Sequence, residues 1–70
     1  MRDTLKFKRL LKGLTQKDVA EKIGVSVQFY SMLEKGQRGA TDRVWAAIKD
    51  AVGLTDIQLA RLKKESIHRQ

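Results

Sequence analysis

The side chains of this sequence that could do chemistry are mainly cationic. Fifteen lysines and arginines stand against eight aspartates and glutamates, so the 70-residue chain carries a net charge of +7 and has a pI near 10.2. Such a chain is attracted to polyanions. Charge alone is weak support for a function, because the lysines and arginines of many small proteins do no more than keep the surface solvated.

The residue types that catalysis or metal binding would need are scarce. The chain has no cysteine, so neither a disulfide nor a thiolate metal site can form. The carboxylates are scattered singly, the one histidine is His68, and no nucleophile with an adjacent base or glycine-rich phosphate loop is present. We therefore expect no enzyme, no metal site and no cofactor.

Capping residues and a glycine divide the centre of the chain into two short helices with a tight turn between them. Thr15 and Asp18 predict a capping box, so that a helix begins directly after Thr15. Gly24 can take the positive φ that a helix end requires. Ser26 is a good N-cap for a second helix from Val27 to Lys35. This pattern predicts a helix, a turn and a helix.

The order of residues from Thr15 to Gly36, TQKDVAEKIGVSVQFYSMLEKG, resembles the helix-turn-helix of the lambda-repressor-like, or Xre, family of phage and bacterial regulators. Threonine-glutamine, alanine, glycine, the serine cap, glutamate and glycine all stand in the register of that motif. The likeness extends from Leu5 to the Val52-Gly53 pair. It implies an all-α fold, namely a compact five-helix lambda-repressor-like domain with the helix-turn-helix at helices 2 and 3.

Caps and glycines also place the other three helices. The first helix is expected to be capped by Asp3 or Thr4 and to end near Lys12. The fourth is expected from Asp42 to Val52, with Thr41 as its cap and Gly53 at its end. The fifth is expected to start with a capping box of Thr55 and Gln58 and to run to about Lys64. We expect one DNA-binding domain over residues 1–64 and a frayed tail over residues 65–70.

The first helix carries two competing stripes. Leu5 and Arg9 share one face. The second stripe has the i, i+3, i+4, i+7 spacing and consists of Phe7, Leu10, Leu11 and Leu14. Family members usually carry an apolar residue at the position of Lys8, so the pattern leaves open which face packs inward. A stripe that stays outside could serve a partner.

The resemblance implies a partly buried ion pair between Arg9 and Glu34, which would tie the first helix to the end of the third. Such a pair needs bidentate geometry, and removal of one partner from a fully buried pair costs roughly 3–5 kcal/mol. The alternative is a surface pair worth under about 1 kcal/mol.

In a helix-turn-helix the second helix lies in the major groove of DNA, and here that helix is expected over Val27 to Lys35. Gln28 is best suited to read a base, because a side-chain amide both donates and accepts and so matches N6 and N7 of adenine. Val27 suits a thymine methyl group, and Ser31 and Met32 complete the expected base contacts. Ordinary surface exposure is the alternative explanation for Val27 and Met32.

Cations and helix ends near this surface are expected to hold the DNA backbone. Gln16 stands at the start of the second helix, where free N–H groups favour an anion, and family members commonly hold a phosphate from this position. Arg38 also falls on the family pattern. The full set of expected backbone contacts is Gln16, Lys17, Ser26, Lys35, Arg38 and Arg43.

The chain resembles both a complete Cro-like phage repressor and the DNA-binding domain of a longer repressor, and its length fits either. The resemblance implies a transcriptional regulator of phage or prophage type that binds a palindromic operator in double-stranded DNA as a homodimer formed fully only on the DNA. By elimination, we expect the dimer interface on the fifth helix, with Ile57 and Leu62. No apolar run is long enough to span a membrane, and we expect no leader before the domain. We therefore expect a cytoplasmic protein of a bacterial cell, located on the nucleoid when bound.

A protein-interaction module of the same fold is the alternative. Such a co-repressor, antirepressor or antitoxin subunit would bind a protein partner instead of an operator. Its contacts would come from apolar residues that the core does not use, such as Phe7, Leu11, Ile57 or Met32.

Overall fold

The computed structural model describes residues 2–64 and shows five α-helices connected by short turns and loops. Their bounds are α1 Asp3–Leu11, α2 Gln16–Ile23, α3 Val27–Glu34, α4 Asp42–Val52 and α5 Asp56–Lys64. No strand is present within this range, and the predicted all-α, five-helix fold is confirmed. The tail expected over residues 65–70 lies outside the described residues. No helix in residues 2–64 is long and apolar enough to cross a membrane.

The predicted caps are present at the starts of α2, α3, α4 and α5. The hydroxyl of Thr15 accepts from the backbone N–H of Asp18 at 3.0 Å, and the Asp18 carboxylate accepts from the N–H of Thr15 at 2.9 Å. Ser26 accepts from the N–H of Phe29 at 3.0 Å. The remaining caps pair Thr41 with Val44 and Thr55 with Gln58. Each cap satisfies a backbone N–H group that has no partner inside its helix.

The start of α1 is the exception. We expected Asp3 or Thr4 to cap this helix, but α1 already begins at Asp3, and Arg2 occupies the cap position without a capping side chain. The reason is a contact from elsewhere in the fold, since the backbone N–H of Arg2 donates to the carbonyl oxygen of Glu34 at 2.8 Å. This bond anchors the chain one residue earlier than a local cap would.

The hydrophobic core is enclosed by all five helices, and α2 makes the most extensive contacts. α2 packs against both α3 and α4, while α1 contacts α3, α4 and α5. Ala20 of α2 is buried in the core, where its small side chain takes up little space between the packed helices. The buried apolar side chains are Leu5, Val19, Ala20, Tyr30, Leu33, Trp45, Ile48, Val52, Leu54 and Leu62.

The face of α1 that packs inward is the one with Leu5 and Arg9. Both side chains are buried. The competing stripe points away from the core, with Phe7, Leu10 and Leu11 exposed to 60%, 55% and 66%. Leu14, which follows α1, is half-buried.

The expectation that Leu62 lies in a dimer interface is wrong, because its side chain is fully buried within the chain. α5 packs on α1, and Leu62 is the residue of α5 that completes the core. Ile57, the other expected interface residue, is 71% exposed.

Gly24 offers a direct test of how the turn between α2 and α3 is made. Its φ is +78° and a Cβ there would have open space around it, so Gly24→Ala should destabilise the fold through backbone strain alone, by about 1–2 kcal/mol. Thermal unfolding should then show a Tm lower by several degrees. Gly39→Ala is the matched control, because a Cβ at Gly39 also has open space and the φ of Gly39 is not in the left-handed region. Equal Tm values for the two variants would contradict the prediction.

Candidate nucleic-acid interface

Side chains from α1, α2 and α3 meet in one hydrogen-bonded group at the start of α2. Arg9 Nε donates to Glu34 Oε2 at 2.5 Å, and Arg9 Nη2 donates to Glu34 Oε1 at 3.3 Å. Gln16 Nε2 donates to the same Oε1 at 3.0 Å. Arg9 Nη1 donates to the carbonyl oxygen of Leu14 at 2.8 Å. The pair of charges is buried and has the bidentate geometry that a pair removed from water requires.

The hydrogen bonds of this group keep Glu34 ionised. Burial by itself raises the pKa of the Glu34 carboxyl, but the bond from Arg9, with smaller contributions from Tyr30 and Gln16, outweighs that effect, so the pKa lies below its ordinary value of 4.5. The bond to Glu34 also raises the pKa of Arg9. Both partners are therefore charged near neutral pH.

Gln16 is oriented by its bond to Glu34. The side chain is half-buried, and the bond uses one of the two N–H donors of the amide nitrogen. The first N–H groups of a helix have no partner within it and attract anions. Gln16 therefore combines an oriented amide with a helix N-terminus at the place where a phosphate is expected.

The outward side of α3 carries the residues that we expect to read bases. Its inner side is taken up by the buried Tyr30, Leu33 and Glu34. Gln28 is exposed, Ser31 is half-buried, and the two apolar candidates, Val27 and Met32, are exposed to 44% and 40%. One shallow depression is lined by Gln28, Ser31, Met32, Lys35 and Gln37. Val27 lies outside it, at the first position of α3.

The four expected cationic contacts are all exposed. Lys17 lies in the first turn of α2 and Lys35 directly follows α3. Arg43 borders a depression beside the turn between α2 and α3. The guanidinium of Arg38 lies 5.5 Å from the centroid of the Phe29 ring, and Phe29 itself packs against the core.

Two features near this surface were missed by the reasoning from sequence. Gln37 shares the depression on α3, and Arg2 is buried beneath the loop that carries Arg38. An arginine beside the first residue carries no signal for burial, because arginine is almost always at the surface. The polar loop residue Gln37 was equally indistinguishable from a solvated one. Within residues 2–64, no cluster of histidine and carboxylate side chains is placed to hold a metal ion.

A comparison with known families finds a match. A family model described as "Helix-turn-helix" matches residues 5–59, which include the whole of α2, α3 and α4. No curated protein and no solved structure matches the chain at a significant level.

Glu34→Gln should destabilise the protein strongly. The substitution leaves Arg9 charged and buried without its counter-ion, and removal of one partner of a buried pair costs about 3–5 kcal/mol. Urea unfolding should show this loss in the free energy of unfolding. Glu21→Gln makes the same chemical change at an exposed position of α2 and should change stability by less than about 0.5 kcal/mol. A similar stability for both variants would show that the pair contributes little.

The contribution of Glu34 to stability should also depend on pH. Because the folded pKa of Glu34 lies below its ordinary value of 4.5, its contribution is complete above that unfolded value and disappears as the pH falls through the folded pKa. Urea unfolding of wild type and Glu34→Gln between pH 3 and 7 should therefore give a constant difference above about pH 5 that narrows in acid. A difference independent of pH over this range would contradict the assignment.

Proposed function

The chain belongs to the lambda-repressor-like, or Xre, helix-turn-helix family of DNA-binding regulators, and on this premise we propose that it is a repressor that binds a palindromic operator. The observation that carries the proposal is the outward side of α3. This side combines an amide, a hydroxyl and two apolar side chains on a helix whose inner side is held by the core. A single helix of this kind fits the major groove of B-form DNA.

The side chains on α3 can distinguish bases in complementary ways. Gln28 would pair with N6 and N7 of adenine, and Val27 would contact a thymine methyl group. Ser31 can donate or accept, and Met32 is a flexible apolar contact. These four residues would carry the sequence specificity, since base edges hold the information that phosphates lack.

Backbone contacts would surround this reading surface. Gln16 and the N-terminus of α2 would hold one phosphate. The other proposed contacts are Lys17, Ser26, Lys35, Arg38 and Arg43, of which Ser26 lies at the N-terminus of α3 and the others are exposed cations. Because each neutralised phosphate releases counter-ions, binding should weaken steeply as the salt concentration rises.

A single α3 touches few base pairs, so we propose a homodimer that assembles on the operator, with half-sites about one helical turn apart. With Leu62 buried in the core, the exposed apolar residues available for its interface are Ile57 on α5 and the stripe on α1. The phage or prophage-type, Cro-like role and the location on the nucleoid in the cytoplasm belong to the same proposal.

A protein-interaction module of the same fold is the second candidate. It is favoured by Phe7, Leu10 and Leu11, three large apolar side chains that are each more than half exposed on one nine-residue helix. Exposed apolar surface of this kind often marks a site of protein contact. The two candidates differ in whether the protein prefers one DNA sequence.

Fluorescence-anisotropy titration of the wild-type protein tests the proposed function. The probes are duplexes from the DNA that flanks its own coding region and a shuffled duplex, each at several salt concentrations. A repressor should prefer one flanking duplex by about a hundredfold or more, and should keep the preference as salt rises. If the protein binds the flanking and shuffled duplexes with equal affinity, and both affinities fall together as salt rises, the net charge explains the binding. The protein-interaction module is then the better-supported function.

Gln28→Ala tests the assignment of base readout. Loss of a bidentate amide contact should weaken binding to the operator by about 1–3 kcal/mol and leave binding to the shuffled duplex nearly unchanged. Lys17→Ala is the contrasting variant, because loss of a phosphate contact should weaken binding to both duplexes alike. An equal loss on both duplexes for Gln28→Ala would remove Gln28 from the reading surface.

A further inference from the structure

The arginine at position 2 is buried completely, although it lies next to the first residue of the chain. Its Nη1 donates to the carbonyl oxygens of Leu33 at 2.6 Å and Arg38 at 2.7 Å. Its Nε donates to the carbonyl oxygen of Leu62 at 2.9 Å. The guanidinium also lies 5.0 Å from the centroid of the Trp45 ring. One side chain therefore connects the last turn of α3, the loop before α4, and α5.

These contacts place Arg2 beneath the loop that carries a proposed DNA contact. Leu33 lies in the last turn of α3, where carbonyl groups have no partner within the helix, and Arg38 lies in the loop between α3 and α4. The Leu33 carbonyl also accepts from the backbone N–H of Gly36 at 3.1 Å, so Arg2 adds a donor that this carbonyl shares with the carbonyl of Arg38. The loop is thus fastened to the end of α3 by a side chain that belongs to neither.

Arg38 is held at its side chain as well as at its backbone. Its guanidinium lies over the ring of Phe29, a half-buried residue of α3 that packs against the core. The backbone carbonyl of Arg38 accepts from Arg2. A cation held at both ends loses less conformational freedom when it meets a phosphate than a free surface arginine does.

We propose that Arg2 is a positioning residue for DNA binding, which holds the loop over residues 36–40 so that Arg38 meets a phosphate, without itself touching the DNA. The inference rests on the proposed function. If Arg2 served stability alone, its removal would lower the Tm and leave the number of phosphate contacts unchanged. The two possibilities therefore differ in the salt dependence of binding.

Salt-dependent anisotropy titrations of the full chain on the shuffled duplex and on the preferred flanking duplex test this. The variants are Arg2→Met, Arg38→Ala and the double variant. Methionine is a long, unbranched side chain like arginine but has no N–H donors. Arg2→Met should reduce the slope of log K against log salt by about 1, the value for one lost phosphate contact. Arg38→Ala should do the same, and the double variant should lose no more than either single variant.

Val52→Ala is the control for stability. Val52 is buried in α4, away from the loop, so this substitution should lower the Tm while the salt slope stays that of the wild type. All titrations are made at a temperature at which circular dichroism shows each variant to be folded. If Arg2→Met does not fold, Arg2→Lys decides, because lysine keeps the charge but has one nitrogen in place of Nη1 and Nε, which bond to separate carbonyl groups, so the slope should fall in the same direction.

Hydrogen exchange of the free protein gives a readout that needs no DNA. The N–H groups of Gly36 and Gln37 donate to the carbonyl oxygens of Leu33 at 3.1 Å and Met32 at 2.9 Å. Arg2→Met should speed exchange at these two amides by at least tenfold relative to Val52→Ala of similar Tm. Equal exchange rates in the two variants would show that Arg2 does not order the loop.

The outcomes separate this inference from the proposed function. If the wild-type protein shows no DNA binding, both are overturned. If it binds and Arg38→Ala leaves the slope unchanged, or if Arg2→Met keeps the wild-type slope, the positioning role is wrong while the regulator stands. Reduced slopes for Arg2→Met and Arg38→Ala that do not add, together with faster exchange at residues 36 and 37, establish the role.

Discussion

The buried ion pair between Arg9 and Glu34 is the interaction on which the arrangement of the first three helices depends. Two charges that leave water are tolerated only when their hydrogen bonds are complete, and here both carboxylate oxygens accept from Arg9 while Gln16 adds a third bond. Such a group permits little rotation or sliding of α1 against α3. It also explains why Leu5 rather than Phe7 packs inward, since Leu5 lies one turn from Arg9 on the same face. The rotation of α1 is thus decided by a charge and not by the more apolar stripe.

The recognition helix is held from its C-terminal end. A glutamate in the last turn of a helix is unfavourable, because the carbonyl groups there already carry partial negative charge. Two arginines from the N-terminal part of the chain compensate: Arg9 bonds to the Glu34 carboxylate, and Arg2 bonds to the carbonyl oxygen of Leu33. The compensation lies entirely on the inner side and the far end of α3. Val27 and Gln28, at its N-terminal end, are left exposed to solvent.

Features that depend on residues close together in the sequence could be predicted from the sequence alone. The caps at Thr15, Ser26 and Thr41 each involve residues three positions apart, so the starts of α2, α3 and α4 were predicted correctly. The wrong expectations concern contacts across the chain. Arg2 bonds to a carbonyl 60 positions away, and Leu62 is buried by helices that a periodicity argument cannot place beside it. The exposure of Gln28 follows from the same helical periodicity that buries Tyr30, whereas the placement of Arg38 over Phe29 depends on a loop conformation that no local rule sets.

The exposed stripe on α1 and the outward side of α3 are compatible as two separate surfaces. Arg9 points from α1 toward α3, where it bonds to Glu34, and Phe7 and Leu11 lie on the other side of α1, in a depression bordered by Gln58 of α5. A partner on this stripe would therefore contact α1 and α5 and leave the depression around Gln28 open. The core takes Leu5 from this helix, and the exposed apolar side chains of α1 lie outside the core. A regulator that binds DNA through α3 could thus also bind a protein through α1, since the ion pair that fixes α1 against α3 also leaves the stripe of α1 outside the core.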